Sequence, residues 1–339
     1  MNILIDITHP AHVHFFKNAY RILLDKGHQV LITAREKDVT LDLLQDYNYP
    51  HRAISKMGEG VIGLGFELVQ HETRLAKIAK EFKTDILLEI GGTFIVHAGK
   101  LLGITTCVFT DTEHAKLSNT ITFPFASYII TPECYKDNLG KKQVRYDGYQ
   151  ELAYLHPNYF SPNSNVLRAF DLEEGQQFFI VRFVSWGASH DVGQKGLTFD
   201  NKVEIVNRLS EYGRVIITSE GKLPDIFMPY QMKASATIIH DLLYYAGLYI
   251  GEGATMASEA AILGTPSIYT STLTLGYLDE LAAKYQLIHN YNDGQAALNK
   301  AIEIVSNPSS KMAYQTRAAK MIEEKSDVTQ WIVDFVESH

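Results

Sequence analysis

The sequence predicts an α/β protein made of two doubly wound parallel-sheet domains, and three observations lead there. Strand-type and helix-type segments alternate along both halves, a breaker-rich stretch separates the halves, and 339 residues supply two domains at roughly 150 residues each. The composition, 46% hydrophobic and 21% charged with only 2 Cys, is ordinary globular usage.

Taken in order, Asn2 to Ile7 is a short apolar run of β type that meets the breaker Pro10. From His12 to Lys26, the residues Val13, Phe16, Tyr20 and Leu23 recur at helical spacing, and Gly27 stands where a C′ glycine ends a helix. Val30 to Thr33 follows as a strand, so the chain begins strand, helix, strand, the pattern of a parallel βαβ unit. Asp85 to Ile90 (strand), Thr93 to Leu102 (helix), Thr105 to Phe109 and Ser127 to Ile130 (strands) continue it. MGEGVIGLG, Met57 to Gly65, has four glycines among apolar residues without a clear period and predicts a mobile loop.

The turn formers of YLHPNYFSPNSN, Tyr154 to Asn165, mark the boundary between an N-terminal domain over 1–155 and a C-terminal domain over 166–325. The second half reads Gln177 to Val184 (strand), Asp200 to Glu211 (helix), Arg214 to Thr218 and Thr237 to Ile239 (strands), and Asp241 to Ala246 (helix). Leu248 to Ile250 (strand), Thr255 to Leu263 (helix) and Pro266 to Tyr269 (strand) follow, and the tail is helical from Gly294, with 326–339 a last helix placed to pack back on the first domain. Two similar α/β domains facing across a cleft are the economical architecture.

Charge and cysteine usage narrow the function. With 39 acidic and 31 basic residues the net charge is −8, and there is no basic stripe to hold nucleic-acid phosphates. Cys107 and Cys134, far apart in apolar surroundings, read as two buried thiols rather than a disulfide or zinc site. The N-terminus lacks a basic n-region and no apolar run reaches bilayer-spanning length, so the expected location is the cytoplasm, with at most peripheral membrane contact through Met57 to Phe66.

LYIGEGATMASEAAILGTP, Leu248 to Pro266, is the strongest motif: a buried strand runs into Gly251-Glu252-Gly253 and then a helix rich in small residues. Glycines let backbone approach an anion, and the N–H groups of the helix start, with the Thr255 and Ser258 hydroxyls, suit phosphate oxygens. Glu259, little more than a turn further on, suits the two hydroxyls of a ribose. The alternative is a packing device, since strand-Gly-helix turns are common in α/β proteins. GxxxxGK[ST] is absent and Gly251-x-Gly253 lacks a third small residue, which counts against ATPase and dehydrogenase readings. A helix terminus contributes only ~0.3–2 kcal/mol to an anion while micromolar binding needs about 8 kcal/mol, so a diphosphate requires cationic help. Arg182, ending the apolar strand FFIVRF, is the best cation, with Lys222 weaker; Trp186 and His190 follow as candidate walls of the same site.

At these residues the chain resembles the nucleotide-sugar glycosyltransferases of the GT-B fold, which have two Rossmann-like domains. HDLLYYAGLYIGEGATMASEAAILGTPSIY, His240 to Tyr269, is similar to their donor-site signature, and PAHVHFFKNAYRILLDKGHQVLITARE, Pro10 to Glu36, to their N-terminal strand-loop-helix. Through THPAHVHFF, DTEHA, GYQELAYLHP and GATMASEAAILGTP, nearly the whole chain resembles an uncharacterised prokaryotic family of this superfamily. The resemblance implies a nucleotide-sugar donor held by Arg182, Gly251, Gly253, Ala254, Thr255, Met256, Ser258 and Glu259. It also implies a general base at His12 oriented by an Asp. The non-hydrolysing UDP-N-acetylglucosamine 2-epimerases share the fold, and their GDT and HVEAGLR segments correspond to Gly91-Gly92-Thr93 and Thr110 to His114; Glu113 is matched, but Gly92 stands in place of the Asp.

Independently, His9, His12 and His14 cluster after the first strand, where loops carry catalytic groups. An imidazole suits proton removal from a hydroxyl at neutral pH. A zinc site would need ligands from Asp111, Glu113 or His114, and helix capping accounts for His9. Asp111, Glu113 and His114, on the loop after another strand, supply an orienter or a second base, while Glu89 reads as a capping or ion-pairing carboxylate.

The expectation is a metal-independent, cofactor-free glycosyltransferase using a UDP-type sugar and a saccharide or lipid-linked acceptor. Its catalytic groups are His12, Asp111 and Glu113, and His14, His114, Trp186 and His190 are sugar or acceptor contacts. An epimerase-like sugar-nucleotide enzyme and a non-catalytic nucleotide-sugar-binding protein are the alternatives.

Overall fold

The computed structural model describes every residue except 185–195, 220, 234 and 235, and at 236 the backbone alone. Two compact units result: Met1–Tyr154 with Ser326–His339, and Leu155–Lys325.

Unit 1 runs β1 (Asn2–Ile7), α1 (Pro10–Asp25), β2 (Gln29–Glu36), α2 (Thr40–Asp46), β3 (His51–Lys56), α3 (Gly60–Phe82), β4 (Ile86–Ile90) and α4 (Val96–Leu102). It continues with β5 (Thr105–Phe109), α5 (Lys116–Thr122), β6 (Tyr128–Pro132), β7 (Gln143–Tyr146) and the short α6 (Leu152–Leu155), which reaches the junction. Its seven strands form one sheet in the order β3-β2-β1-β4-β5-β6-β7, and every pairing is parallel. Ile3, Leu4, Ile5, Leu87, Leu88 and Val108 are fully buried, as strands covered on both faces must be. α1 starts with Pro at its first position, where no N–H is needed, under a His9 ring that accepts the Ala11 N–H; His9 is thus a cap.

Unit 2 runs β8 (Phe178–Phe183), α7 (Phe199–Ser210), β9 (Arg214–Ser219), α8 (Ile239–Tyr245), β10 (Leu248–Gly251), α9 (Ala254–Ile262) and β11 (Ser267–Thr270). α10 (Gly276–Ala283), β12 (Ile288–Tyr291), α11 (Gly294–Val305) and α12 (Ser310–Glu324) complete it. Its five parallel strands are ordered β12-β11-β10-β8-β9. The last helix, α13 (Val328–Glu337), belongs to unit 1: it packs on α1, the Thr329 hydroxyl donates to the Ala153 carbonyl at 2.6 Å, and Lys26 pairs with Glu337 at 2.6 Å.

The structure overturns two expectations. Met57 to Gly65 is not a loop: from Gly60 it is the first turn and a half of α3, a 23-residue helix. Thr237 to Ile239 is not a strand either, because a 3-10 turn at Ala236–Ile238 leads straight into α8. β3 and β7 at the two edges of the first sheet are further strands that the sequence pattern does not mark.

Among the described residues, no helix is long and apolar enough to cross a membrane.

Candidate active site

Strand order reverses between β8 and β10 in unit 2 and between β1 and β4 in unit 1, the switch points where open α/β sheets take ligands. At the first, Arg182 of β8 lies opposite Gly251 of β10. A methyl group on Gly251 would meet the Arg182 carbonyl oxygen at 2.7 Å, and one on Gly253 would meet Arg182 Cδ and Nε at 3.2 Å. The arginine side chain therefore lies along the turn, and close approach rather than left-handed backbone calls for glycine; Gly253 has φ −89. The Tyr249 hydroxyl donates to the Gly253 carbonyl at 3.1 Å and fixes the turn, and Gly253 brings no side-chain cap to α9. Gly251→Ala is expected to cost about 1–3 kcal/mol, lowering the melting temperature by roughly 2–12 °C in scanning calorimetry, because a strand carbonyl cannot retreat without breaking the β8–β10 pairing.

Gly253, Ala254 and Met256 are partly open and Thr255 is exposed. Ser258, by contrast, is fully buried and donates its hydroxyl to the Thr255 carbonyl at 2.8 Å, closing the first turn of α9. Glu259 is buried with Oε1 3.0 Å from His240 Nε2 of α8, so a histidine that sequence reasoning did not single out holds this carboxylate. Glu252, also passed over, is buried and accepts the N–H groups of Val184 at 3.0 Å and Leu197 at 2.8 Å, with Lys202 Nζ at 3.0 Å. It thereby ties together the two sides of 185–195. Trp186 and His190 lie outside the described residues.

In unit 1, His12 Nδ1 faces the Thr8 hydroxyl at 3.2 Å and accepts the Thr8 N–H at 3.4 Å. Burial, together with His9 and Lys37 nearby, pulls its pKa well below the ordinary value, so the ring is neutral at neutral pH. The expected Asp orienter is not what holds it: among the described residues Thr8, not Asp111, hydrogen-bonds this ring. The reason is topological. β4 lies between β1 and β5, which puts Asp111 two strand spacings, or about 10 Å, along the sheet edge.

His14 is no partner of His12 either. Two residues apart on α1 they cannot share a face, and His14 is buried against Tyr47, its Nδ1 3.3 Å from the Tyr47 hydroxyl, and against Tyr154.

Asp111 is a carboxyl raised to about 6 by burial and by Glu113, against the Thr112 hydroxyl that donates to it at 3.0 Å. Its charge acts on the phenols of Tyr135 and Tyr146, whose buried hydroxyls have no hydrogen-bond partner among the described residues. Glu113 Oε1 accepts the Lys136 N–H at 3.2 Å, and His114 beside it is partly buried. A carboxyl raised on folding binds a proton that the unfolded chain has released, so Asp111 costs stability as pH rises through about 6. Asp111→Asn should therefore raise the melting temperature at pH 7–8, with the gain vanishing below about pH 4 in thermal melts.

Among the described residues, a connected polar assembly in unit 1 lies outside the residues that the sequence singles out. Asp6 of β1 accepts the Thr33 hydroxyl at 2.5 Å and lies 2.9 Å from His71 Nε2. His71 Nδ1 is 2.7 Å from the Ser55 hydroxyl, which donates to Glu67 at 3.1 Å. Arg35 grips both Glu67 oxygens at 2.5 and 2.6 Å, and Glu67 also accepts the Gly58 N–H at 2.9 Å. Phe94 stacks on the His71 ring. Glu89 accepts the N–H groups of Phe94 and Ile95 at 3.1 and 3.2 Å, a capping role, and burial and the Asp6 charge raise its pKa.

The sequence matches the family described as "Protein of unknown function (DUF354)" over residues 1–338. The chain belongs to the DUF354 family. Another similar chain is the "Uncharacterized protein MJ0665" of Methanocaldococcus jannaschii, 23% identical over 311 residues covering 88% of this chain and 90% of that one. The DUF354 chain also resembles a UDP-GlcNAc 2-epimerase from Neisseria meningitidis solved with UDP-GlcNAc (12% identity, all of both chains, TM-score 0.71). A third likeness is to the glycosyltransferase SsfS6 of Streptomyces sp. SF2575, solved with thymidine diphosphate (14% identity, all of both chains, TM-score 0.65). These likenesses show the fold: the DUF354 chain has the two Rossmann-like domains of GT-B proteins, a fold shared by nucleotide-sugar enzymes.

Proposed function

We propose that the protein is a glycosyltransferase that takes a sugar from a UDP-type donor to a hydroxyl of a saccharide or lipid-linked acceptor, with no metal ion. The observation that carries this reading is the Arg182 side chain laid along the Gly251–Gly253 turn at the start of α9. A guanidinium beside uncapped helix N–H groups complements a diphosphate, and that the neighbours of the same fold were solved with UDP-GlcNAc and thymidine diphosphate supports it.

In the proposed reaction the acceptor hydroxyl gives its proton to His12 while its oxygen bonds to the anomeric carbon. The bond from that carbon to the diphosphate breaks, and the electron pair leaves on a phosphate oxygen stabilised by Arg182 and the α9 amides. His12 suits the base because it is neutral, so one of its ring nitrogens carries a lone pair that can take the proton. The deciding experiment is calorimetric titration with UDP and UDP-sugars: micromolar binding is expected, and no response to any nucleotide diphosphate or nucleotide sugar would refute the reading.

Asp111, raised to about 6 beside Glu113, favours one second reading, epimerisation of a nucleotide sugar. That reaction needs no acceptor, so NMR spectra of UDP-GlcNAc incubated with the protein alone separate the two.

A further inference from the structure

Glu259 and His240 are 6% and 3% exposed, and their contact at 3.0 Å joins the second turn of α9 to the first turn of α8. As a carboxylate Glu259 can only accept, so the imidazole is the donor of that contact. A buried pair of this kind adds little stability over apolar side chains of similar volume, which points to a role other than stability. α8 has only seven residues, a length that does not sustain a helix by itself, yet it is tied at both ends. At its start Asp241 accepts the Asn163 N–H at 2.8 Å. At its end Lys311 Nζ donates to the Tyr244 and Ala246 carbonyls at 2.6 and 2.9 Å and to the Thr265 hydroxyl, which itself donates to the Leu243 carbonyl at 2.5 Å. The Phe160 ring meets the imidazole edge to face. His240 therefore stands on a fixed platform.

Position indicates what the held carboxylate meets. Thr255 and Glu259, four residues apart, share one face of α9, and Thr255 is exposed at the helix start. Side chains on a helix lean toward its N-terminus, so Glu259 leans toward the Gly251–Gly253 turn, with about 7.5 Å of helix between it and Ala254. Its charge and that of Arg182 act on the same Tyr249 hydroxyl, the one that donates to the Gly253 carbonyl. With a diphosphate on Arg182 and the turn, the next group along a nucleotide is the pentose. Its neighbouring hydroxyls are two donors for a carboxylate that is held still.

We infer that His240 is a positioning residue that fixes Glu259 against the 2′ and 3′ hydroxyls of a ribose, so that the site selects ribonucleotides over 2′-deoxyribonucleotides. The inference rests on the diphosphate site proposed above and names the sugar of its nucleotide. A glutamate turning freely about its side-chain bonds loses that freedom when hydroxyls bind, which offsets their contribution. A hydrogen bond from His240 to one oxygen orders the carboxylate beforehand.

The test is titration calorimetry of the full chain with UDP and with 2′-deoxy-UDP. The parent is expected to bind UDP roughly 10- to 150-fold more tightly. His240→Asn and His240→Gln differ by one methylene: the longer amide reaches the place of the imidazole Nε2 and the shorter one stops short of it. His240→Asn should bring the two affinities to within about 3-fold of each other, mainly by weakening UDP, and His240→Gln should restore most of the preference. A role confined to folding would weaken both nucleotides alike. Thermal melts show whether the variants are folded; if His240→Asn is not, Glu259→Gln, which leaves no charge behind, is read in its place and should lose the preference too. Equal affinity of the parent for the two nucleotides, a preference that survives in the folded variant, or an equal loss for both nucleotides overturns the inference and leaves the diphosphate site standing. A parent that binds neither nucleotide overturns both.

Discussion

Arg182→Ala is expected to weaken UDP binding roughly 10- to 150-fold, the loss of about 1.5–3 kcal/mol that a charge-assisted contact to a diphosphate contributes. Titration calorimetry reads this directly, and a circular dichroism melt separates it from unfolding. Arg182→Lys keeps the charge but not the planar fork and should recover only part of the affinity. Gly253→Ala tests the same geometry from the other side. A methyl group 3.2 Å from Cδ and Nε pushes the guanidinium off the turn, so the affinity should fall while the side chain itself remains. Unchanged UDP affinity in Arg182→Ala would remove Arg182 from the site.

Arg35→Met is expected to destabilise unit 1 by about 3–5 kcal/mol, because it strands the buried Glu67 carboxylate without its guanidinium. Scanning calorimetry should show a fall of roughly 6–20 °C. Burial alone would raise Glu67, but hydrogen bonds from Arg35, the Gly58 N–H and Ser55 hold it below the ordinary 4.5. A carboxyl lowered on folding contributes stability that is full above its unfolded value and is lost as pH falls through its folded one. The gap between parent and Arg35→Met should therefore narrow as the melts are taken below pH 4.5. Replacing the ion pair with apolar residues on both sides, Arg35→Met with Glu67→Leu, should restore much of the loss, since no charge is then left buried alone.

Much of the fold was legible because it is local. β1 and β5 are short, mostly buried β-type segments with the bounds the sequence suggests, and the turn at Gly251 announces itself through two glycines and a run of small residues. α3 was not legible for a physical reason: its apolar residues face outward and its inward side opens with Glu67 and His71, so the usual helical period is reversed where glycines already suggest a loop. Gly58 and Gly63 serve packing instead, since a methyl group on Gly58 would lie 2.3 Å from the Gly63 carbonyl oxygen. In the site, Arg182 and the turn were readable as neighbours through their place at strand ends. Glu259 with His240, Asp6 with His71 and Glu252 with Leu197 were not, because each pair joins residues far apart in the chain and no local pattern links them. The Thr8 contact of His12 is local, yet a threonine four residues before a histidine carries no signal by itself.

The position of α13 also governs how the protein is born. Unit 1 begins at Met1, but α13, which packs on α1 and buries its own Val328, Ile332, Val333 and Val336, lies beyond the whole of unit 2. A ribosome delivers residues in order, so the packing of α13 on α1 must wait, with one flank of α1 bare, until Val336 has cleared the exit tunnel. Unit 2 is contiguous and faces no such delay, so the half synthesised later is the one able to finish first.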